Sequence, residues 1–426
     1  MKFAKLFQQV LEEENVPVEW AEKAIQYKAL KKRINKVVEE FESVGLKKEE
    51  MTFTYEIEKV QHRLYPQLSL KASPVMEDRI LKKLKDMDYS YTIKPLRKDI
   101  IIEISSFDDN KSLISADNPF DDTLYYEITI DLHEDTKFFQ TLYEELEELS
   151  EFKSQREKEI ISNVEKLASL ISKVGSPNVK KSDMYAWREI FQLYIETEIF
   201  FSTSERSTGN TSIEQSKARL VNFLNSVEKN SLRKRFKNKG SAEAFTEFKA
   251  MNMEILKVSS FQTINNMAVY KILKKFDKQT RLNSKEIFPD IITKSDEINI
   301  LNSSIAKNIC YIVAQRILNI IPQIDDYTCP ICCSVAFKPI RLDCGHLFCV
   351  RCLVKLQRKD EDRCPLCRQE VVVEADERNL DTAQMAYLKL YFPKEVKAKQ
   401  TENEREIFKE TYGAAYNNGA NACILM

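Results

Sequence analysis

The sequence predicts a mainly α-helical protein with a small cysteine-rich domain near its C-terminus. Apolar residues recur at three- and four-residue intervals over long stretches, as expected of amphipathic helices. Only seven of the 426 residues are glycine, which argues against Rossmann and phosphate-loop folds because both need glycine at tight turns. Eight of the ten cysteines lie between positions 329 and 367.

The helical part is predicted to begin with a hairpin of two helices. Their connection is at residues 15–17, where a proline interrupts the helical pattern. Helical segments are predicted at residues 2–14, 20–41, 136–172, 182–201 and 213–280. Residues 45–135 form an insert, in which alternation at 99–105 and 124–132 predicts two short strands. Helical stretches also flank the cysteine-rich segment, at 295–321 and at 379–411 with a break at 392–393.

The cysteine-rich segment has the spacing of a metal-binding domain. Its ligand pairs are Cys329-x2-Cys332, Cys344-x-His346, Cys349-x2-Cys352 and Cys364-x2-Cys367. Zinc prefers four sulfur or nitrogen ligands in a tetrahedron, and a Cys-x2-Cys pair supplies two sulfurs at a suitable separation. Four pairs therefore predict two closed sites that hold two structural zinc ions. Scattered core cysteines are the alternative, and the regular spacing argues against them.

The order of these ligands resembles the RING finger of ubiquitin ligases. The resemblance implies that the first and third pairs share one zinc ion and that the second and fourth share the other. It also implies that the domain holds a conjugating enzyme charged with ubiquitin and positions the thioester for a lysine, without a covalent nucleophile of its own. The implied docking and positioning residues are Ile331, Leu356, Pro365 and Arg368. Many relatives carry tryptophan at the position of Leu356.

Cys333 follows a ligand directly, which raises the alternative of a nucleophilic thiol. No histidine is placed beside it in the sequence to activate it. We therefore interpret Cys333 as a packed thiol.

A basic face is predicted on the helix through residues 261–281. Lys271, Lys274, Lys275 and Lys278 are spaced so that four ammonium groups share one side, and Ile264, Met267, Ile272 and Phe276 supply the apolar side. In the hairpin, Tyr27 and Lys31 are one turn apart. This set would bind a small, highly phosphorylated anion, or it is an ordinary solvated lysine face. Arginine and interleaved aromatic residues, typical of nucleic-acid sites, are sparse.

Three segments resemble the SPX domain, an α-helical bundle that binds inositol polyphosphates and pyrophosphates as reporters of cellular phosphate. They are residues 1–40, which include MKFAK and Tyr27-x3-Lys31, residues 136–170, and residues 255–282, which include FQTINNMAVYKILKKFDK. The resemblance implies a polyphosphate-binding set of Tyr27, Lys31, Lys274 and Lys278, flanked by Lys2, Lys271 and Lys275. With the RING motif, the chain resembles the SPX-RING ubiquitin ligases of plants and fungi, whose plant members act on phosphate transporters.

The expected domain organisation follows from both motif sets. We expect an SPX domain at 1–290 with the insert at about 45–135, a helical linker at 291–325, the RING finger at 326–372, a helical C-terminal extension at 373–412 and a flexible tail at 413–426. The final Cys423-Ile424-Leu425-Met426 fits a farnesylation signal, although such a short pattern also arises by accident.

The composition limits the location and the function. The formal net charge is −1, and basic clusters around the finger are scarce, so no nucleic-acid partner is expected. Unpaired cysteines in a metal motif, polar first residues and no apolar run of about 18 residues predict a cytoplasmic protein, with peripheral membrane association through a prenyl group as a second expectation and a nuclear location left open.

Two hypotheses of function follow. The first is a RING-type ubiquitin ligase regulated by inositol pyrophosphate, with membrane phosphate transporters as substrates. The alternative is a non-catalytic inositol-polyphosphate sensor or scaffold that uses its RING for docking or dimerisation.

Overall fold

The computed structural model describes residues 3–13, 16–45, 53–61, 63–72, 74–87, 89–96, 125–200, 212–293 and 305–419. The helices in these ranges are α1 (Phe3–Glu13), α2 (Val18–Glu22), α3 (Tyr27–Val44), α4 (Pro74–Asp86), α5 (His133–Gly175), α6 (Met184–Thr197), α7 (Ile213–Lys229), α8 (Lys239–Thr280), α9 (Ser284–Thr293), α10 (Ile305–Arg316), α11 (Val350–Gln357), α12 (Thr382–Tyr391) and α13 (Pro393–Gly419). The strands are β1 (Phe53–Val60), β2 (Arg63–Ala72), β3 (Tyr91–Leu96), β4 (Tyr125–Ile130), β5 (Pro339–Arg341) and β6 (Leu347–Cys349). The predicted fold class, mainly α with a partly β insert and a small cysteine-rich domain, is confirmed.

The chain divides into two compact units. The first comprises residues 1–163, 211–216 and 250–311, and the second comprises 164–210, 217–249 and 312–426. Among the described helices, none is both long enough and apolar enough to cross a membrane.

In the first unit, the second helix of the predicted hairpin is in fact two helices, α2 and α3. The backbone N–H of Ile25 donates to Asn265 Oδ1 at 2.9 Å, and that of Gln26 donates to Glu145 Oε2 at 2.9 Å. These two amides donate to side chains of distant helices. The segment between α2 and α3 can therefore be non-helical without leaving these N–H groups unsatisfied. The prediction of one continuous helix at 20–41 was therefore wrong.

Aromatic side chains form the core of the first unit. Phe138 and Phe139 on α5 are fully buried and lie 4.8 and 5.1 Å from the ring of Phe276 on α8. The apolar side predicted for α8 is confirmed for Phe276, Ile264 and Ile272. Met267 is exposed instead, because it precedes Lys271 and Lys274 by one and two turns and so shares their face.

The insert contains an antiparallel sheet with the strand order β1-β2-β4-β3. The strand predicted at 124–132 is confirmed as β4, whereas the one predicted at 99–105 lies outside the described residues. The sheet is fixed to the helices at Tyr55 of β1, whose hydroxyl donates to Asp135 Oδ2 at 2.9 Å. Complete burial raises the pKa of Asp135 to about 8.

In the second unit, the helix predicted at 213–280 is interrupted between α7 and α8. The carboxylate of Asp183 accepts hydrogen bonds from the backbone N–H groups of Lys237 and Asn238, at 2.7 and 3.0 Å. It also accepts one from the Ser241 hydroxyl at 2.6 Å. One buried acid thus satisfies the loop amides that a continuous helix would have satisfied itself.

The break predicted at residues 392–393 separates α12 from α13, and Pro393 occupies the first position of α13, where its missing N–H costs nothing. This helix continues to Gly419. Residues 413–419 therefore belong to α13, and the expected domain limits, with a flexible tail at 413–426, stay a prediction. Cys423 lies outside the described residues.

Candidate metal centres and basic surface

Two of the Cys-x2-Cys pairs sit on the same kind of tight turn. The N–H of Cys333 donates to the carbonyl oxygen of Cys329, and the N–H of Arg368 donates to that of Cys364, both at 2.8 Å. Cys333 and Arg368 both adopt left-handed backbone angles, with φ of 51° and 63°. The two turns therefore present their sulfurs with matching geometry.

The first metal group consists of Cys329, Cys332, Cys349 and Cys352, whose sulfurs all lie within 4.8 Å of one another. The sulfurs of Cys332 and Cys349 are 3.8 Å apart. Tetrahedral zinc with Zn–S bonds of about 2.3 Å separates its sulfurs by about 3.8 Å. The group thus fits a zinc ion with four sulfur ligands.

The second metal group consists of Cys344, His346, Cys364 and Cys367. Nδ1 of His346 lies 3.3 Å from the sulfur of Cys344 and 3.6 Å from that of Cys364. Zinc held by one nitrogen and three sulfurs would separate N from S by about 3.5 Å, so His346 offers Nδ1 as its ligand. The pairing of first with third and second with fourth ligand pairs, which the resemblance implied, is what the structure shows.

A small hydrophobic core supports both groups. Cys349 ends β6, whose ladder with β5 pairs it with Pro339, and α11 starts at the next residue. The N–H of Phe337 donates to the Cys349 sulfur at 3.1 Å, and the N–H of Cys349 donates to that of Cys329 at 3.4 Å. The sulfurs of the first group are therefore held by the backbone as well as by the side-chain core.

Of the four residues expected to dock a conjugating enzyme, three are exposed. Ile331 is 39% exposed, and Pro365 and Arg368 are also exposed. Leu356 is half-buried and packs against the core of the domain, so it offers less surface than expected. Leu366 is exposed and was not predicted. The sequence could have predicted the exposure of Leu366, because Cys364-Pro-Leu-Cys367 repeats the Cys-Pro-apolar-Cys order around Ile331.

The interpretation of Cys333 as a packed thiol was wrong. Cys333 is exposed. The left-handed turn after Cys332 directs the next side chain away from the core, as it does for Arg368.

The predicted basic face is present at the C-terminal end of α8. Lys271, Lys274 and Lys278 are exposed, and Lys275 is half-buried. The pKa of Lys275 is lowered by burial and then by the positive charges of Lys31 and Lys278. Lys31 of α3 is therefore close enough to Lys275 of α8 for its charge to act on that ammonium.

Among the described residues, these lysines have no acidic partners. Within the ranges that the structure describes, no carboxylate lies within ion-pair distance of the five side chains Lys31, Lys271, Lys274, Lys275 and Lys278. Tyr27 is buried, with its ring 4.9 Å from that of Phe3, and burial raises its pKa. Lys2 lies outside the described residues.

The structure adds Tyr270 and Lys285 to this surface. The ammonium of Lys285 lies 4.7 Å from the Tyr270 ring centroid. The pKa of Tyr270 is lowered by a hydrogen bond and the charge of Lys285, and then by the charges of Lys274 and Lys271. Sequence reasoning missed Lys285 because it follows the end of α8. The backbone N–H of Lys285 donates to the Asp277 carboxylate at 3.0 Å, and this hydrogen bond ties the start of α9 to α8.

Comparisons with known proteins agree with both parts of the chain. The SPX domain family profile matches residues 1–292, and the profile of the C3HC4-type RING zinc finger matches residues 329–367. Over the full length of both proteins, the chain is 37% identical to "Transcriptional regulator of yeast form adherence 3" of Candida albicans and 31% identical to an uncharacterized RING finger protein of Schizosaccharomyces pombe.

A shorter similarity covers the zinc domain alone. Over 48 residues, 11% of this chain and 10% of the relative, the chain is 40% identical to E3 ubiquitin-protein ligase TRIM31 of Mus musculus. The two metal groups, the bundle with its basic face and these matches all lead to one assignment. The chain belongs to the SPX-domain family and carries a C3HC4-type RING finger near its C-terminus.

Proposed function

We propose that the protein is a RING-type ubiquitin ligase. The observation that carries this proposal is the exposed apolar pair Ile331 and Leu366 on the two matching turns, beside exposed Pro365 and Arg368. A protein that used its zinc domain only as a structural core would gain nothing from exposed apolar residues at both turns. The named ligase activity of the TRIM31 relative supports the same class of function.

The proposed catalysis is by positioning. Each of the two ligand groups would fill all four positions of a zinc ion, and the bound ions would hold the two turns in place. Ile331, Pro365 and Leu366 would bind the conjugating enzyme through apolar contacts. Arg368, which makes no ion pair with any residue that the structure describes, would donate several hydrogen bonds in a fixed fork and restrict the attached ubiquitin to a reactive orientation.

Autoubiquitination of the purified full chain tests this proposal. We expect Ile331→Ala and Arg368→Ala to slow the reaction by about 10- to 100-fold, because each removes an interaction of about 1.5–3 kcal/mol. Arg378→Ala is the matched control, since Arg378 is an exposed arginine after the zinc domain whose only described ion pair, with Asp376, is a surface pair. Equal rates in all three variants and the wild type would refute the assigned roles.

We further propose that the lysine surface of α3, α8 and α9 binds an inositol polyphosphate or pyrophosphate as a regulatory ligand. Membership of the SPX family supports this ligand class. The unpaired lysines support it physically, because clustered ammonium groups repel one another and gain free energy when a multivalent anion joins them. Lys275 is close enough to both Lys31 and Lys278 for their positive charges to lower its pKa.

Calorimetric titration with inositol hexakisphosphate tests the ligand proposal. Lys275→Ala and Lys278→Ala should each weaken binding, and raising the salt concentration should weaken it in the wild type. Lys166→Ala, at an exposed lysine of α5 in the second unit, is the matched control. Binding that is unchanged in the first two variants would remove this surface from the proposal.

The alternative proposal is a non-catalytic polyphosphate sensor that uses the RING for docking or dimerisation. The half-buried Leu356 favours it, because it leaves a smaller apolar docking surface. The autoubiquitination assay separates the two functions, since a scaffold would show no activity above the zinc-free protein.

The substrate and the cellular location are further proposals. The SPX-RING resemblance supports phosphate transporters of membranes as substrates, with the conjugating enzyme and ubiquitin as partners. Farnesylation of Cys423 would add a weak membrane anchor in the cytoplasm, since one lipid gives only marginal binding. Unchanged membrane partitioning of Cys423→Ser would exclude that anchor.

A further inference from the structure

Helix α11, which carries the expected docking residue Leu356, is held in place by more than the hydrophobic core of the zinc domain. It has only eight residues, and an isolated helix of that length is not stable in water, so its position depends on what it packs against. At its last residue, Gln357 Nε2 donates to the carbonyl oxygens of Val372 and Ala375, at 2.8 and 2.9 Å. These bonds tie the end of α11 to the segment that follows the last ligand pair.

Another side of α11 contacts α13 through four charged residues. The guanidinium of Arg351 donates from Nε to Glu406 Oε2 at 2.8 Å and from Nη2 to Glu410 Oε1 at 2.5 Å. One turn later, Lys355 Nζ donates to the same Glu406 oxygen at 2.8 Å. Arg358, just after α11, adds a longer contact with Glu410 at 3.9 Å. We call Arg351, Lys355, Glu406 and Glu410 the charge clamp. All four lie in the second compact unit.

The charge clamp differs from an isolated surface ion pair, which contributes little because water competes with it. Arg351 is only 14% exposed, and its planar guanidinium joins two carboxylates. Glu406 in turn joins two cations, so the four residues form a network rather than separate pairs. Because the contacts on each helix are one turn apart, the network resists both rotation of α11 and sliding of α11 along α13.

The docking residue Leu356 lies between two anchored neighbours. Lys355 before it binds α13, and Gln357 after it binds the segment beyond the last ligand pair. Leu356 itself is half-buried, so a small rotation of α11 would change how much of its side chain a partner can contact. The charge clamp therefore determines what Leu356 offers to a docking protein.

We propose that Glu406 and Glu410 are positioning residues for docking of the conjugating enzyme. Through Arg351 and Lys355 they hold α11 in the orientation in which Leu356 contacts that enzyme. Helix α13, which lies outside the eight-ligand motif, is then a working part of the ligase domain. This inference rests on the proposed ligase function.

Initial rates of ubiquitin discharge to free lysine test this role. The full chain is kept at a fixed low concentration, and the charged conjugating enzyme is varied, with the member of a panel that the wild type discharges fastest. The double variant Glu406→Gln and Glu410→Gln keeps the size of both side chains and removes their charges. It should raise KM for the charged enzyme about 3- to 10-fold and leave kcat within about twofold of the wild type. A purely structural role would instead unfold part of the protein, which lowers the apparent kcat and leaves KM unchanged.

The matched control is Glu404→Gln, at an exposed acid of the same helix whose side chain accepts a hydrogen bond from Gln400. It should keep the wild-type KM. Leu356→Ala should raise KM by itself, and adding the double variant should then raise it little further, because the orientation of a missing side chain has no effect. If the double variant does not fold, Glu410→Gln replaces it and should raise KM by a smaller factor.

The outcomes separate this inference from the ligase proposal. With an active wild type, an unchanged KM in the double variant, a fall in kcat alone, or a full additional effect in the Leu356→Ala background would overturn the positioning role. A wild-type chain that discharges no conjugating enzyme of the panel would refute the ligase proposal and this inference with it.

Discussion

Arg188 of α6 is expected to contribute more to the stability of the second unit than any surface ion pair. It is 4% exposed, its Nε donates to the carbonyl oxygen of Pro322 at 2.9 Å, and its Nη2 donates to that of Tyr391 at 2.8 Å. The guanidinium also lies 4.2 Å from the Phe392 ring centroid. One side chain thus joins α6 to the segments that precede and follow the zinc domain.

The expected cost of Arg188→Met follows from these contacts. Each hydrogen bond from a charged donor contributes about 1.5–3 kcal/mol, and a buried carbonyl left without a donor costs about 1–3 kcal/mol. The contact with the ring of Phe392 adds up to about 2 kcal/mol. The desolvation of the guanidinium, which the substitution relieves, offsets part of the sum. A net loss of about 3–5 kcal/mol is expected, which is a large share of the stability of a typical domain.

Urea denaturation of the full chain in a Trp20→Phe background, followed by tryptophan fluorescence, measures this loss. Trp187 is then the one tryptophan, and it precedes Arg188 in the same unit. Arg188→Lys should lose nearly as much, since an ammonium cannot keep two directed bonds and a stacked plane at once. Arg235→Met is the control. Arg235 is 47% exposed and pairs with Glu189, which lies on α6 next to Arg188. Its replacement should therefore lower the free energy of unfolding by at most about 1 kcal/mol. An Arg188→Met variant as stable as this control would refute the reasoning.

Three further predictions concern the buried acid, the ligand turns and the basic surface. Because the pKa of Asp135 is raised to about 8 by burial, the unfolded chain releases this proton first and stability falls as pH rises toward 8. Asp135→Asn should therefore stabilise the protein relative to the wild type by an amount that grows from pH 5 to pH 8, at up to about 1.4 kcal/mol per pH unit. Denaturation curves measure this stability difference, and a difference that does not change with pH would contradict the prediction. Cys332→Ser should lose one of two zinc ions by metal analysis, whereas Cys333→Ser should keep both; the reverse would place the ligand at the wrong cysteine. Lys285→Ala should weaken the titration with inositol hexakisphosphate several-fold, and full wild-type affinity would exclude Lys285 from the surface.

The sequence predicted those parts of the structure in which the spacing of a few nearby residues determines the local geometry. Ligand pairs such as Cys329-x2-Cys332 determine a metal turn locally, and the four lysines from Lys271 to Lys278 determine a charged helix face. Both were therefore correctly placed before the fold was known.

What could not be predicted depends on residues distant in sequence. The break between α2 and α3 depends on Asn265 and Glu145, and the exposure of Cys333 depends on a left-handed turn. The burial of Arg188 and Lys399 has no local signal either, because each is one charged residue in a charged helical sequence until the zinc domain packs against it.

The most direct test of the central claim is a single-turnover discharge assay, in which the full chain is added to a conjugating enzyme charged with ubiquitin and free lysine accepts the ubiquitin. This measures positioning of the thioester without any protein substrate. We predict that the wild-type chain accelerates discharge and that Ile331→Ala and Arg368→Ala abolish most of the acceleration with both zinc ions retained. Discharge at the uncatalysed rate with wild-type protein, across a panel of conjugating enzymes, would contradict ligase function and favour the sensor.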